Sequence, residues 1–348
     1  MAKIKVGISI GDLNGIGMEV IIKTFLNSRM MDFCTPIIFG GVKTTSFHRK
    51  SLEIKDFSFN IINKIKDINS KRANLLNCWN EDIEIKFGKP TEIAGKYAFK
   101  SLTEVTDSLK NEEIDVLVTA PINKANIQKN EPEFIGHTEF LGEQFEGDQL
   151  MIMLSDFMRV AFVTGHIPLS EVAASLSENK IFLKIKQLSQ SLIQDFGISK
   201  PKIAVIGLNP HAGEDGMLGK EEKEIISPAI QKAKKQNILV FGPYSADSFF
   251  TKENLKNFDG VLAMYHDQGL TPFKTLSFSE GINYTAGLSV IRTSPVHGTA
   301  YDIAGKNCAK EQSFRNAIYS ACEIFNTREG YNDLTEPPLQ KQNLETKQ

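Results

Sequence analysis

Short, nearly continuous apolar runs, each followed by a longer stretch with apolar residues at helical spacing, dominate this chain and leave few folds open to it. The runs Ile4–Ile10, Pro36–Phe39, Ile114–Thr119, Val160–Thr164, Ile203–Leu208 and Gly260–Met264 lack the alternation of half-exposed strands. Such runs mark parallel strands covered on both faces. Tyr97–Leu109, Glu171–Leu176, Ile181–Phe196 and Lys220–Gln236 repeat apolar residues at helical spacing, as covering helices do. The pattern predicts an α/β chain. Its 348 residues suffice for two domains of roughly 150 residues each, and Lys129–Pro132 is the clearest break between them. The Lys-, Asn- and Ile-rich stretch from Phe47 to Glu84 reads as peripheral strands and turns. The polar residues from Gly330 onward, including Pro337 and Pro338, read as a disordered tail.

Forty Lys and Arg against 42 Asp and Glu give a net charge of −2, so no global field draws the chain to nucleic acid or to an anionic membrane. Any anion must be held locally. Cys34, Cys78, Cys308 and Cys322 form no C-x-x-C pair and read as reduced thiols. Met1 to Val6 leads straight into a strand pattern without a signal-peptide core, and no apolar run reaches membrane-spanning length. A cytoplasmic protein is expected.

Ligands of open α/β sheets bind beyond the carboxyl ends of the strands. Three runs end in histidine there, at His166, His211 and His266. Imidazoles converging from separate strand ends would offer three nitrogens to a divalent ion and leave positions open for substrate. Each could instead be a structural histidine. Gly11 to Glu19 follows the first run, where glycines allow either a tight strand-to-helix turn or an approach of free N–H groups to an anion. It lacks the third glycine of a dinucleotide fingerprint, and Leu218 to Glu221 lacks the remainder of a P-loop. Thr119–Lys124 ends another run, and in Gly136–Glu139 Thr138 and backbone amides suit a phosphate or carboxylate, unless these are simply turn residues. Lys274, Asn283 and Arg292 could clamp an anionic substrate.

The segments G-D-x-x-G-I-G-x-E, T-A-P-I-N-K, G-H-T-E, V-T-G-H-I-P-L, L-N-P-H-A-G-E-D-G, G-P-Y-S-A-D and Y-H-D-Q-G-L-T-P-F-K, in this order between about residues 4 and 310, resemble the 4-hydroxythreonine-4-phosphate dehydrogenase family of vitamin B6 biosynthesis. The resemblance implies two α/β/α domains of the isocitrate and isopropylmalate dehydrogenase-like fold, not a Rossmann domain. The first would comprise residues 1–130 and 306–330, the second 131–305, and 331–348 would be the tail. It implies oxidation of 4-phosphooxy-L-threonine by NAD or NADP, followed by decarboxylation to 3-amino-2-oxopropyl phosphate. It also implies a divalent metal on His166, His211 and His266, zinc first and cobalt, manganese or magnesium as alternatives, with ligands shared across a homodimer. Substrate contacts would come from His137, Thr138, Lys274, Asn283 and Arg292. Asp247 and Asp267 lie in motif segments and are candidates for the general base, against a role orienting a histidine. No motif locates the nicotinamide. Where the family commonly reads G-D-P-A-G-I-G-P-E, this chain has Leu13, Asn14 and Met18, which bears on the rigidity of the turn and on cofactor affinity. Two other readings are a threonate or erythronate 4-phosphate dehydrogenase and a metal-stabilised protein that binds a phosphorylated ligand without redox activity.

Overall fold

The computed structural model describes residues 3–335. Twelve strands form one sheet: β1 (Ile4–Ser9), β2 (Cys34–Gly40), β3 (Asn60–Ile62), β4 (Asn74–Asn77), β5 (Val116–Thr119), β6 (Gly147–Ser155), β7 (Met158–Phe162), β8 (Lys202–Ile206), β9 (Leu239–Tyr244), β10 (Gly260–Ala263), β11 (Ile282–Leu288) and β12 (Arg292–Pro295). Their order across it is β3-β4-β2-β1-β5-β12-β11-β6-β7-β10-β8-β9. The six apolar runs became strands, and their side chains are buried because helices cover the sheet.

The sheet is not purely parallel. β11 runs antiparallel to both β12 and β6, and β6 is antiparallel to β7. β6 and β7 are joined by only Asp156 and Phe157, a hairpin-length connection that permits no parallel crossover. Two parallel sets, β3 to β12 and β7 to β9, therefore flank an antiparallel centre and point opposite ways along the sheet. Adjacent strands twist by about 20–25°, so six strand steps from β1 to β10 turn the second set by well over a right angle. That rotation lets carboxyl ends of both sets approach one cleft. β12 pairs with β5 as well as β11, so it belongs by hydrogen bonding to both halves.

Phe47 to Glu84 contains the end of a helix, Val42–Ser51, besides the short strands β3 and β4. The last helix, Gln312–Thr335, continues past Gly330, so residues 331–335 are not an irregular tail; residues 336–348 lie outside the described residues. This helix is anchored by Arg328, whose Nε donates to Asp195 Oδ1 at 2.9 Å. Tyr284 Oη and Ser191 Oγ donate to Asp195 Oδ2 at 2.8 and 2.6 Å, completing a buried network that joins helix, sheet and the helix Glu178–Gln194. Among the described residues no helix is long and apolar enough to cross a membrane.

His48 is enclosed against Phe47 and Phe87, and burial pushes its pKa down to about 4. The unfolded chain takes up this proton near 6.5 and the folded chain only near 4, so stability is lost as pH falls through that window. His48→Phe should reduce the loss by on the order of 3 kcal/mol. Urea unfolding of both proteins at neutral pH and near pH 4 measures it, and parallel losses would rule out His48 as a source.

Candidate active site

Arg292 opens β12 at the middle of the sheet and is almost wholly buried, 3% exposed. No carboxylate meets it among the described residues. Its Nε and Nη2 donate to Thr119 Oγ1 of β5 at 3.0 and 2.6 Å, and its Nη1 to Thr285 Oγ1 of β11 at 3.2 Å. Burial pulls the guanidinium pKa down to about 10, and the nearby Glu139 charge acts the other way. The group stays charged at neutral pH. Asn283 and Thr285 lie two residues apart on β11 and therefore share a face. Asn283 Oδ1 and His137 Nε2 are both buried without a hydrogen-bond partner among the described residues. Burial first, then the charges of Arg292 and Lys124, hold His137 well below the ordinary histidine range. A buried cation with unpaired polar atoms nearby is a receptacle for an anion.

His137 and Thr138 form the first turn of the helix His137–Gln144, whose N-cap, Gly136, supplies no side-chain cap. Its first amides have no intrahelical acceptor and suit a phosphate or carboxylate. Lys124 and Glu139 converge there: a Cβ on Gly136 would stand 2.7 Å from Glu139 Oε2 and 3.2 Å from Lys124 Nζ.

The three histidines lie beyond the strands rather than at their last residues: His166 in the loop after β7, His211 in the turn after β8 and His266 at the first residue of the helix His266–Ser277. β7, β10 and β8 are adjacent and parallel, so these segments share one edge of the sheet. Thr164 Oγ1 donates to Met264 O at 2.8 Å, while Gln268 accepts from Met264 N at 2.7 Å and donates to Gly207 O at 2.6 Å. These side chains lock the three loop stems together. The rings of His166 and His266 come within 5.2 Å, centroid to centroid, beside a cavity of about 390 Å³ that also meets Gly165, Leu169, Tyr265 and Asp267. Burial, followed by the charges of Lys124 and His266, lowers the His166 pKa and favours the neutral, metal-binding imidazole.

His211 does not join this pair within the chain. It stands exposed on a turn, Pro210–Gly216, in which His211, Ala212, Gly213, Glu214 and Asp215 all have left-handed φ, from 41° to 79°. Each non-glycine residue there costs roughly 1–2 kcal/mol. Among the described residues no three His, Cys, Asp or Glu side chains form a metal site. The donor chemistry fits a divalent ion, but one chain brings two imidazoles together and leaves the third apart.

Asp267 Oδ1 lies 2.7 Å from His266 Nδ1, which suits a carboxylate that orients the ring. Asp247 accepts from Ser245 Oγ at 2.5 Å. That bond first, with His211 nearby as a weaker influence, holds its carboxyl below the usual range. Lys274 is half-buried on the helix His266–Ser277 and makes no hydrogen bond or ion pair to the other site residues within the chain, among the described residues. A larger cavity, about 570 Å³, lies over the Asp195–Arg328 pair, away from these groups.

The family described as pyridoxal phosphate biosynthetic protein PdxA matches residues 32–321. The chain belongs to that family. It is 48% identical over 99% of its length to a 4-hydroxythreonine-4-phosphate dehydrogenase from Bacteroides thetaiotaomicron, covering 94% of that protein. It is 38% identical over 93% of its length to a protein of Oceanobacillus iheyensis provisionally assigned as a D-threonate 4-phosphate dehydrogenase, covering 98% of it. Among solved structures, the Klebsiella pneumoniae 4-hydroxythreonine-4-phosphate dehydrogenase aligns with TM-score 0.77 and 32% identity, covering 93% of this chain and 98% of that one.

The glycine-rich motif of this PdxA-family chain is a packing joint. The amides of Asp12, Gly15 and Ile16 donate to Pro121 O, Asp12 O and Thr299 O, and that of Asn14 to Asp12 Oδ1. They are not free for an anion. Cβ atoms on Gly11, Gly15 and Gly17 would stand 2.3, 2.8 and 2.5 Å from the carbonyl oxygens of Pro121, Thr299 and Ile10. Asn14 bonds Lys89 O, Thr91 Oγ1 and Lys86 N, while Leu13 and Met18 are core residues. The departures from the family motif thus carry their own contacts. Thr119, Lys124 and Glu139 were not singled out by sequence reasoning, although they lie inside the quoted motifs. Their signal is position, at the end of β5 and on the first turn after Gly136.

Gly11, with φ 69° and no room for a Cβ, should tolerate no side chain. Gly11→Ala is expected to destabilise the fold by about 1–3 kcal/mol in urea unfolding. A neutral substitution would restore the ligand-loop reading.

Proposed function

We propose that this chain oxidises 4-phosphooxy-L-threonine at C3 with NAD or NADP, and that the β-keto acid formed, 2-amino-3-oxo-4-phosphooxybutanoate, loses CO₂ to give 3-amino-2-oxopropyl phosphate for pyridoxal phosphate synthesis. The observation that carries this reading is the buried Arg292 guanidinium without a carboxylate partner, near the unpaired His137 Nε2 and Asn283 Oδ1. A phosphorylated hydroxy amino acid meets all three: its anionic groups face Arg292 and a protonated Nε2 of His137, and its ammonium or hydroxyl hydrogens donate to Asn283 Oδ1. Arg292 holds one anionic end against Thr119 and Thr285, and the amides of the His137 turn take phosphate oxygens. Orientation between fixed ends places C3 for hydride transfer and can supply several kcal/mol of the barrier reduction. Lys274 would complete the clamp.

A divalent ion, zinc first with cobalt, manganese or magnesium as alternatives, would be held by His166, His211 and His266 drawn from two copies of the chain, and when bound it lowers the pKa of a coordinated hydroxyl. Asp267 keeps the His266 ring oriented. Asp247, ionised and close to His211, is the proposed acceptor of the hydroxyl proton. A homodimer is supported by the apolar groups next to two of the histidines, above all Leu169, 72% exposed, and Met217, 81% exposed. We read the two halves of the sheet as the two domains of the isocitrate and isopropylmalate dehydrogenase-like fold, residues 1–130 with 306–330 and residues 131–305, in a cytoplasmic enzyme.

The Oceanobacillus relative favours a second reading, oxidation of threonate or erythronate 4-phosphate, which lack the amino group. Absorbance of reduced nicotinamide, with purified protein, Zn²⁺ and each substrate, tests the proposal. A higher kcat/KM for the sugar acid moves the assignment to that substrate. No signal with either leaves a phosphate-ligand binding protein. His211→Ala should reduce turnover below about a tenth. Arg292→Met should lower kcat/KM by roughly a hundredfold or more, the effect of removing a buried charge partner. Near-normal rates in both variants would remove the site.

A further inference from the structure

The left-handed turn that carries His211 is held by a carboxylate that the reaction does not use. Glu222 is buried, at the start of a π-helical turn, Glu222–Ile226, an irregularity often found near functional sites. Its Oε1 accepts from the amides of Leu208 and Asn209, each at 2.7 Å, and its Oε2 from Asn209 Nδ2 at 2.9 Å. Those residues join the end of β8 to Pro210 and His211. The same carboxylate closes the turn from inside: a Cβ on Gly213 would stand 2.5 Å from Glu222 Oε2 and one on Gly207 3.1 Å from Oε1. Neighbouring Glu221 supplies a second acceptor to Asn209 Nδ2 at 2.7 Å. Five successive left-handed residues persist only where the surroundings over-determine them. Here Glu222 accepts three hydrogen bonds at the stem of the turn, and the bonds of Ala212 N to Asn209 O and Leu218 N to Gly213 O close the turn itself.

We propose that Glu222 is the positioning residue for His211: by gathering the Leu208 and Asn209 donors it fixes the strained turn and aims the imidazole out of the β8 edge toward the metal. The inference rests on His211 serving as a ligand.

Two measurements on the full-length protein test it. In the metal-free protein, amide hydrogen exchange across residues 208–217 should quicken by about tenfold in Glu222→Ala. Glu222→Gln should show less, because its amide oxygen can still accept from both backbone donors; it also serves if the alanine variant does not fold. Zn²⁺ affinity, by competition with a chelator, should fall by about tenfold in Glu222→Ala. The same substitution should cost nothing further in a His211→Ala background, since the effect passes through that ring. Unchanged exchange in the turn, or an equal loss of Zn²⁺ affinity with and without His211, overturns the positioning role. Unchanged Zn²⁺ affinity in His211→Ala alone overturns the ligand reading beneath it.

Discussion

A guanidinium buried at the middle of a twelve-stranded sheet is the constraint around which the rest of this molecule is arranged. Taking a charge out of water is costly unless it is paired, and among the described residues Arg292 has only the hydroxyls of Thr119 and Thr285 as partners. Those hydroxyls come from β5 and β11, the two neighbours of β12, so the same bonds that satisfy the arginine fasten the strand shared by both halves of the sheet. What they cannot supply is negative charge. The site proposed here is built around that deficit.

Around that cation the fold separates scaffolding from recognition. The glycine-rich segment after β1, the part most easily mistaken for a phosphate loop, has its amides bonded to Pro121, Thr299 and Asp12 and its glycines pressed against carbonyl oxygens. Asp12 binds Asn126 and Tyr301, and Glu19 binds Lys23 and the amide of Ala309. The motif joins three distant pieces of chain. The proposed recognition falls instead to Gly136 and His137, whose helix opens without a side-chain cap.

The histidines show a different division. Thr164 and Gln268 cross-link the loops beyond β7, β10 and β8, which brings His166 and His266 together, but the left-handed turn after β8 holds His211 away from them. The strained turn presents the His211 imidazole to solvent, and Met217 and Leu218, further along the chain, are exposed too. The homodimeric metal site proposed above would draw on that imidazole.

The apolar runs determined six of the twelve strands, since a strand buried on both faces must be apolar throughout, and they placed the three histidines just beyond carboxyl ends. Composition excluded a global electrostatic partner, and the ordered motifs determined the family. The antiparallel centre was hidden because no apolar run marked β6 or β11, which have exposed ends at Gly147, Asp148 and Gly287; only the two-residue link between β6 and β7 hints at it. Which histidines meet, which glycines are packed and which cation lacks a partner depend on contacts between residues over a hundred positions apart, such as Arg292 with Thr119. Those are decided by twist and pairing across the sheet, quantities that no local run of residues encodes.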